Sequence, residues 1–389
     1  MKRIGILTGG GDVPGLNSVI KSVVYRSSEL GWEVLGIRRG WKGLTHLGPA
    51  EGDADADGAY LRPLDRRTTR VIDRTGGTIL HTSRTNPARM RTQALPEHLS
   101  EGRLASLRVS DKHFDLTPIV LENVRRLELD ALVTIGGDDT LSYAARLGAE
   151  GFPVVGIPKT MDNDVAGTEY CIGFSTAVTR SKELINRQRT TLGSHERIGV
   201  FRIFGRNAGF TAWYAAYVTS ARCVIPEAPF ELEALADVLV DDRELNPSGY
   251  AFVIASEGAI WRGGVLGEVG EADAYGHRHK ADVGYALAEE LKRRTGIETV
   301  HSDLTYDLRS GDPDALDQMV AITYANVAVD LLEAGNFGRM VAIRDGKYAH
   351  APLPERSLGA RTIDVEAMYN AARFRPRYER KLGTPLLLD

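Results

Sequence analysis

The 389-residue sequence predicts an α/β fold made of two lobes, with largely parallel sheets flanked by helices. Three observations predict it. At the N-terminus an apolar run, a glycine cluster, a helical apolar repeat and a second apolar run follow one another. The same order returns after residue 130. The chain is also long for one compact core, so two lobes are the default expectation.

Residues 4–7 form the first expected strand, and Gly9, Gly10 and Gly11 the turn after it. Leu16, Val19, Ile20, Val23 and Val24 recur at helical spacing, Gly31 ends that stretch, and 34–37 reads as a strand. Strand, turn, helix, strand is a βαβ unit, which implies parallel pairing. Residues 131–135 read as a buried strand followed by Gly136 and Gly137, a helix over about 141–147, and a strand over 154–157. A long charged helix is expected over 176–192, with strands over 198–204 and 250–255. Ligands of such sheets sit at the carboxyl ends of strands, where these glycine-rich turns fall. Residues 48–65 and 263–280 read as surface.

Composition narrows the partners. Lys+Arg is 48 and Asp+Glu is 52, a net charge of −4, which gives no electrostatic reason to expect nucleic acid or an anionic membrane. Cys171 and Cys223 form no CxxC pair, so a reducing compartment is the simplest reading. The apolar run after Met1, Lys2 and Arg3 is too short for a secretory segment. No segment reads as the roughly 18 apolar residues of a membrane span. The expectation is a cytoplasmic protein.

Three segments carry chemistry. In the first, Gly9, Gly10 and Gly11 lead into Asp12, Val13, Pro14, Gly15, Leu16 and Asn17. Glycines between a strand and a helix let backbone N–H groups approach an anion. A tight turn without a ligand would read the same way. The Rossmann spacing fails at Pro14, and Walker A lacks its Gly-Lys-Ser/Thr. In the second segment, Gly136, Gly137, Asp138, Asp139 and Thr140 put adjacent carboxylates at a strand end. A magnesium shared with substrate phosphates would balance them, and a solvated turn with a helix cap is the alternative. In the third, Pro158, Lys159, Thr160, Met161, Asp162, Asn163 and Asp164 join a lysine, a hydroxyl and two carboxylates. Phosphoryl transfer needs those parts: a cation for phosphate charge, a metal, and a carboxylate for the proton of the attacking hydroxyl.

Together these segments resemble the phosphofructokinase family. Gly76, Gly77 and Thr78 with Arg84, the run Ser194-His195-Glu196-Arg197, the run 205–209 and Glu257-Gly258 extend the match, in order, from residue 4 to about 335. The last ~40 residues match nothing. The resemblance implies an active site in the cleft between a donor lobe, 1–173 with 308–358, and an acceptor lobe, 174–307 with 359–389. It implies Asp162 as general base, Asp138 positioning Mg2+, and Thr160 and Asp164 at the acceptor. Arg84 reaches the transferring phosphoryl group, and Gly10 and Gly11 shape the donor loop. Glu257 bonds the sugar hydroxyls, with Phe204, Gly205 and Arg206 beside the sugar and Tyr306 and Arg309 at its phosphate. Arg197 resembles an arginine that crosses to a neighbouring subunit's site, which implies a homodimer or homotetramer.

The donor is expected to be diphosphate. ATP-using members resemble glycine where this chain has Asp139 and Lys159. A carboxylate at 139 would repel a nucleotide's α-phosphate, and a lysine at 159 would fill its space and attract the shorter donor. The alternative is that Lys159 merely pairs with Asp139. The expected acceptor is fructose 6-phosphate, in a reversible reaction. Two departures leave another sugar phosphate or a polyol open: Val300 stands where the family has a basic residue, and Phe204 replaces a methionine. His301 should point to the other face of its strand. The rivals are an ATP-dependent phosphofructokinase, an NAD-kinase-like or lipid-kinase-like enzyme, and an inactive sugar-phosphate sensor. Intact Asp138, Asp162 and Arg84 speak against the last.

Other signals are declined. Residues 53–58 open like a calcium loop but have Leu64 where Glu is required. His277 and His279 lack a third ligand. Trp213, Tyr214 and Tyr217 read as core or subunit interface rather than a stacking platform.

Overall fold

A computed structural model of the chain describes residues 2–48, 58–263, 268–269, 279–280 and 283–379. The N-terminal unit forms as its apolar pattern requires: β1 (Arg3–Thr8), α1 (Leu16–Glu29), β2 (Glu33–Ile37) and an edge strand β3 (Leu61–Leu64). The second unit is β4 (Ala131–Gly136), α2 (Asp138–Ala149) and β5 (Val154–Pro158). Then come α3 (Phe174–Ser194), β6 (Ile198–Ile203), α4 (Phe210–Thr219), β7 (Arg222–Val224), α5 (Leu232–Leu245) and β8 (Ala251–Ser256). The last elements are α6 (Val283–Thr295), β9 (Thr299–Asp303), α7 (Ala315–Glu333), β10 (Arg339–Arg344) and β11 (Lys347–Pro352).

Two sheets result. The larger has seven strands in the order β11-β10-β5-β4-β1-β2-β3, parallel except at its two edge pairs. The smaller has the order β7-β8-β6-β9 and is parallel throughout. Strand β4 is buried at every residue, as a central parallel strand covered on both faces should be. The larger sheet is drawn from residues 3–158 and 339–352, the smaller from 198–303. The chain therefore crosses to the smaller sheet through α3 and back through α7, and after β11 it returns to the smaller sheet, where Cys223 N donates to Phe374 O at 2.7 Å.

Four features depart from the sequence expectations. The helix of the second unit begins at Asp138, not near 141, because the strand ends at Gly136, Gly137 makes the turn and two acidic residues suit a first turn. Strand β6 stops at Ile203, so Phe204 leaves the sheet. Residues 61–64, expected as surface loop, pair antiparallel with β2 and supply the sheet edge. Helix α7 has 19 residues and is long and apolar enough to cross a membrane, where no such segment was expected. Its apolar positions are interrupted by Asp317, Gln318 and Asp330, which hides the run from a scan for consecutive apolar residues. Residues 53–57 of the declined calcium loop, and His277, lie outside the described residues.

Helix α7 is held by a buried carboxylate. Asp317, fully buried, accepts from Tyr170 Oη (2.6 Å), Gly173 N (2.8 Å), Thr176 N (2.8 Å) and Thr176 Oγ1 (2.5 Å). These donors sit at the start of α3, so one side chain ties both helical crossings together. Trp213 is buried and donates to Met368 O at 2.9 Å, and Tyr217 stacks on it at 5.2 Å. Asp317→Ala should cost about 3 kcal/mol or more, because it strands several buried donors. Urea unfolding of the variant checks this, and a loss under about 1 kcal/mol would contradict it.

Candidate active site

Three strand ends of the larger sheet meet in one cleft. Gly9 N donates to Ile135 O at 2.9 Å, and Gly10 N to Ser83 O at 3.0 Å, so the loop after β1 is stitched to its neighbours. Gly10 lies at φ 77, in the left-handed region that favours glycine. Asn17 braces the next loop: its Nδ2 donates to Thr75 O and Gly76 O, and its Oδ1 accepts from Ile79 N. Helix α2 starts at the end of β4 with no side-chain cap, so Asp138 and Asp139 are not spent on capping its N-terminus.

The turn after β5 is pinned from inside. Lys159 N donates to Gly136 O at 3.0 Å, and Asp162 N donates to Thr160 Oγ1 at 3.1 Å. Asn163 takes φ 55, a position a side chain seldom adopts. Its Nδ2 donates to Glu169 O (2.9 Å) and its Oδ1 accepts from Cys171 N (2.8 Å), which holds the reversal. The turn thus fixes Lys159, Thr160, Asp162 and Asp164 by backbone geometry.

The facing wall comes from the smaller sheet. After β6 come Phe204, Gly205 and Arg206; after β8 comes Glu257; after β9 come Thr305, Tyr306 and Arg309. Arg206 Nη2 lies 3.7 Å from Glu257 Oε1. Phe204 meets Tyr306 edge-on with ring centroids 6.1 Å apart. Between the walls lies a cavity of about 450 Å³.

Of the residues expected at the site, Gly10, Gly11, Arg84, Asp138, Asp139, Lys159, Thr160, Asp162, Asp164, Phe204, Arg206, Glu257, Tyr306 and Arg309 line this cavity. Gly205 and Arg197 do not. Gly205 lies behind the wall at φ 127, where a Cβ would sit 2.3 Å from Ser256 Oγ. Arg197 precedes β6, at the end of the strand remote from the cavity. Val300 pairs with Gly199 at that same remote end. Arg309, expected at the acceptor phosphate, is engaged on the donor loop: its Nη2 meets Asp12 Oδ1 at 2.5 Å. His301 faces α6, as its strand parity predicts, with its ring against Tyr285. Sequence reading missed Arg202, Asp303, Glu355 and Arg356, which also line the cavity. Alternation along β6 from Phe204 would have flagged Arg202. No motif marks the other three.

The comparisons agree with this geometry. Residues 3–332 match the family described as Phosphofructokinase. The chain is 38% identical over 375 residues to a pyrophosphate–fructose 6-phosphate 1-phosphotransferase of Amycolatopsis methanolica, covering 96% of this chain and 99% of that one. It is 37% identical over 364 residues to ATP-dependent 6-phosphofructokinase 3 of Streptomyces coelicolor, covering 93% and 96%. The chain belongs to the phosphofructokinase family. It is a phosphotransferase with an alcohol acceptor, as the family and its relatives' names indicate. The crystal structure of a pyrophosphate-dependent phosphofructokinase from Marinobacter aquaeolei shares the fold, with TM-score 0.73 at 19% identity over 97% of this chain and 89% of that one.

The electrostatics of this phosphofructokinase cleft are dominated by crowded acids. Burial, then Asp164 and Asp139, push the Asp138 carboxyl up to about 7. Burial, then Asp164 and Glu257, raise Asp162, and burial raises Asp164. Among cavity-lining groups, Asp162 Oδ1 and Arg206 Nε are buried without a hydrogen-bond partner among the described residues. Lys159 is buried, and burial followed by Arg309 lowers it to about 8, against the pull of Asp12. Asp139 is not among the main charges acting on it.

Among the described residues no three His, Cys, Asp or Glu side chains converge as a metal cage. The acids present fit Mg2+ in another way: it is held by one or two carboxylates plus substrate phosphates. Asp138, held far above the usual carboxylate range, is the side chain that a cation would favour in ionised form.

Two outcomes follow for pH. The donor's kcat/KM should fall as pH rises through about 8, because Lys159 then loses the proton that makes it a cation. It should also fall as pH drops below about 7, because Asp138 is then protonated. A pH–rate profile checks both limbs, and a flat profile from about 6 to 9 would contradict them.

Proposed function

We propose that this enzyme reversibly transfers a phosphoryl group from diphosphate to the 1-hydroxyl of fructose 6-phosphate, with Mg2+, yielding fructose 1,6-bisphosphate and phosphate. The observation that carries the donor assignment is the position of Lys159. Its Nζ lies 3.3 Å from where a Cβ on Gly10 would be, so a buried ammonium stands over the donor loop. That group fills space a nucleotide tail would need and faces the charge of a short donor.

The residues divide the work. Lys159 and Arg84 bind the donor's phosphates, with Gly10 and Gly11 giving backbone access. Thr160 holds the turn that presents Asp162. Asp162 Oδ1, buried and without a hydrogen-bond partner among the described residues, accepts the proton of the acceptor's 1-hydroxyl as its oxygen attacks the near phosphorus. Arg206 and Glu257 hold the sugar. Asp138 would hold Mg2+, which when bound neutralises phosphate charge.

Arg197 stands a whole strand away from its own cavity, a strand of six residues or about 20 Å. It is therefore assigned to the cavity of a second copy, in a homodimer or homotetramer. A cytoplasmic enzyme of glycolysis or gluconeogenesis is the setting that this reaction fits.

Fructose 6-phosphate with Mg2+ and either diphosphate or ATP is the first assay. Turnover with diphosphate alone is expected, and turnover with ATP alone would overturn the donor assignment. Asp162→Asn should lower kcat by about 10³-fold without loss of folding. The double variant Asp139→Gly with Lys159→Gly should raise ATP use and weaken diphosphate use; an unchanged donor ratio would remove the assigned role of these two residues.

A further inference from the structure

We infer that Arg202 is a specificity-determining residue that binds the phosphate ester of the acceptor. This rests on the proposed acceptor, not on the donor. The argument starts from the cations that line the cavity. Lys159 and Arg84 belong to the donor side. Arg309 is held by Asp12 on the donor loop, through Nη2 at 2.5 Å and through Nε to the Asp12 carbonyl at 3.1 Å. Arg356 sits on a short 3₁₀ helix, Arg356–Leu358, that packs against α2, whose first turn carries Asp138 and Asp139. Arg206 is directed at Glu257, at 3.7 Å. Among the described residues that line the cavity, the cation not yet given a role is Arg202.

Its placement fits a phosphate subsite. Arg202 is two residues before Phe204, so strand alternation gives both the same face as the chain leaves β6. Its cross-strand partner is Asp303, at the end of β9. Phe204, Asp303, Thr305 and Tyr306 line the same corner of the cavity. The Arg202 side chain is 14% exposed, and its Nη1 donates to Asp303 Oδ2 at 2.9 Å. That bond orients the guanidinium. A guanidinium carries five N–H donors, so it can bridge a carboxylate and a phosphate. The stem is fixed as well. Helix α6 comes down on it at Gly284, where a Cβ would lie 2.7 Å from the Arg202 Cβ.

Val300 lies at the far end of β9 and faces no part of this cavity, whereas Arg202 brings a charge to the cavity end of the adjacent strand.

The test is equilibrium binding without any donor, by calorimetry, with fructose 6-phosphate and with fructose. Arg202→Ala should weaken fructose 6-phosphate by about tenfold or more and leave fructose unchanged. Arg202→Lys, which keeps the charge and loses the fork, should recover part of the loss. In turnover, KM for fructose 6-phosphate should rise in Arg202→Ala while KM for the donor stays the same. Binding of fructose 6-phosphate by Arg202→Ala within about twofold of the parent would overturn the inference. So would an equal loss for fructose and its phosphate, which would mark a structural role. Because no donor is present, a failed diphosphate assay would leave the binding result standing.

Discussion

Among the acids that line the cleft, Asp138, Asp162, Asp164 and Glu257 crowd its partly buried floor, and that crowding governs how the rest of the site is built. Burial first, and then repulsion between neighbouring acids, makes them resist ionisation, which is why Asp138 and Asp162 are both pushed upward. The arrangement is costly when empty and is relieved by cations. The protein supplies some of these itself: Arg206 beside Glu257, and Lys159 at the donor loop. Substrate phosphates with Mg2+ would complete the balance. A site that is strained electrostatically until its ligands arrive is suited to selecting them.

The fold meets this demand through parallel pairing. In a parallel sheet the carboxyl ends of neighbouring strands lie side by side, so turns distant in sequence become adjacent in space. The turns after β1, β4 and β5 meet along one edge because β5, β4 and β1 are consecutive neighbours in the larger sheet. The second sheet presents its own strand ends across the cleft. Asp317 ties α7 to the start of α3, so these two helical crossings between the sheets share one buried anchor.

The C-terminal segment has a place that no motif announced. Leu353 is buried in the larger sheet's core, and Arg361 N donates to Asp164 O at 2.8 Å. Arg361 Nη1 also reaches Asn163 O (3.2 Å) and Glu169 O (3.0 Å). Between these two anchors the chain passes the cavity with Glu355 and Arg356 in its lining. The segment therefore buttresses the very turn that carries Asp162.

The sequence by itself determined the α/β class, the three glycine-bearing turns and most of the residues that line the cavity. Those features are local: a buried strand, a turn and a helix each leave their mark within a few residues. Lys159 and Asp139 stood out as well, because both sit inside short motifs. Where Arg197 and Val300 lie relative to the cavity was decided only by the tertiary structure, since strand direction and sheet order set which end faces the cleft. The same holds for Arg309 on Asp12, for Arg202 beside Asp303 and for the return of residues 354–360. Each is a contact between segments far apart in the chain, set by packing rather than by spacing, and packing leaves no local pattern to read.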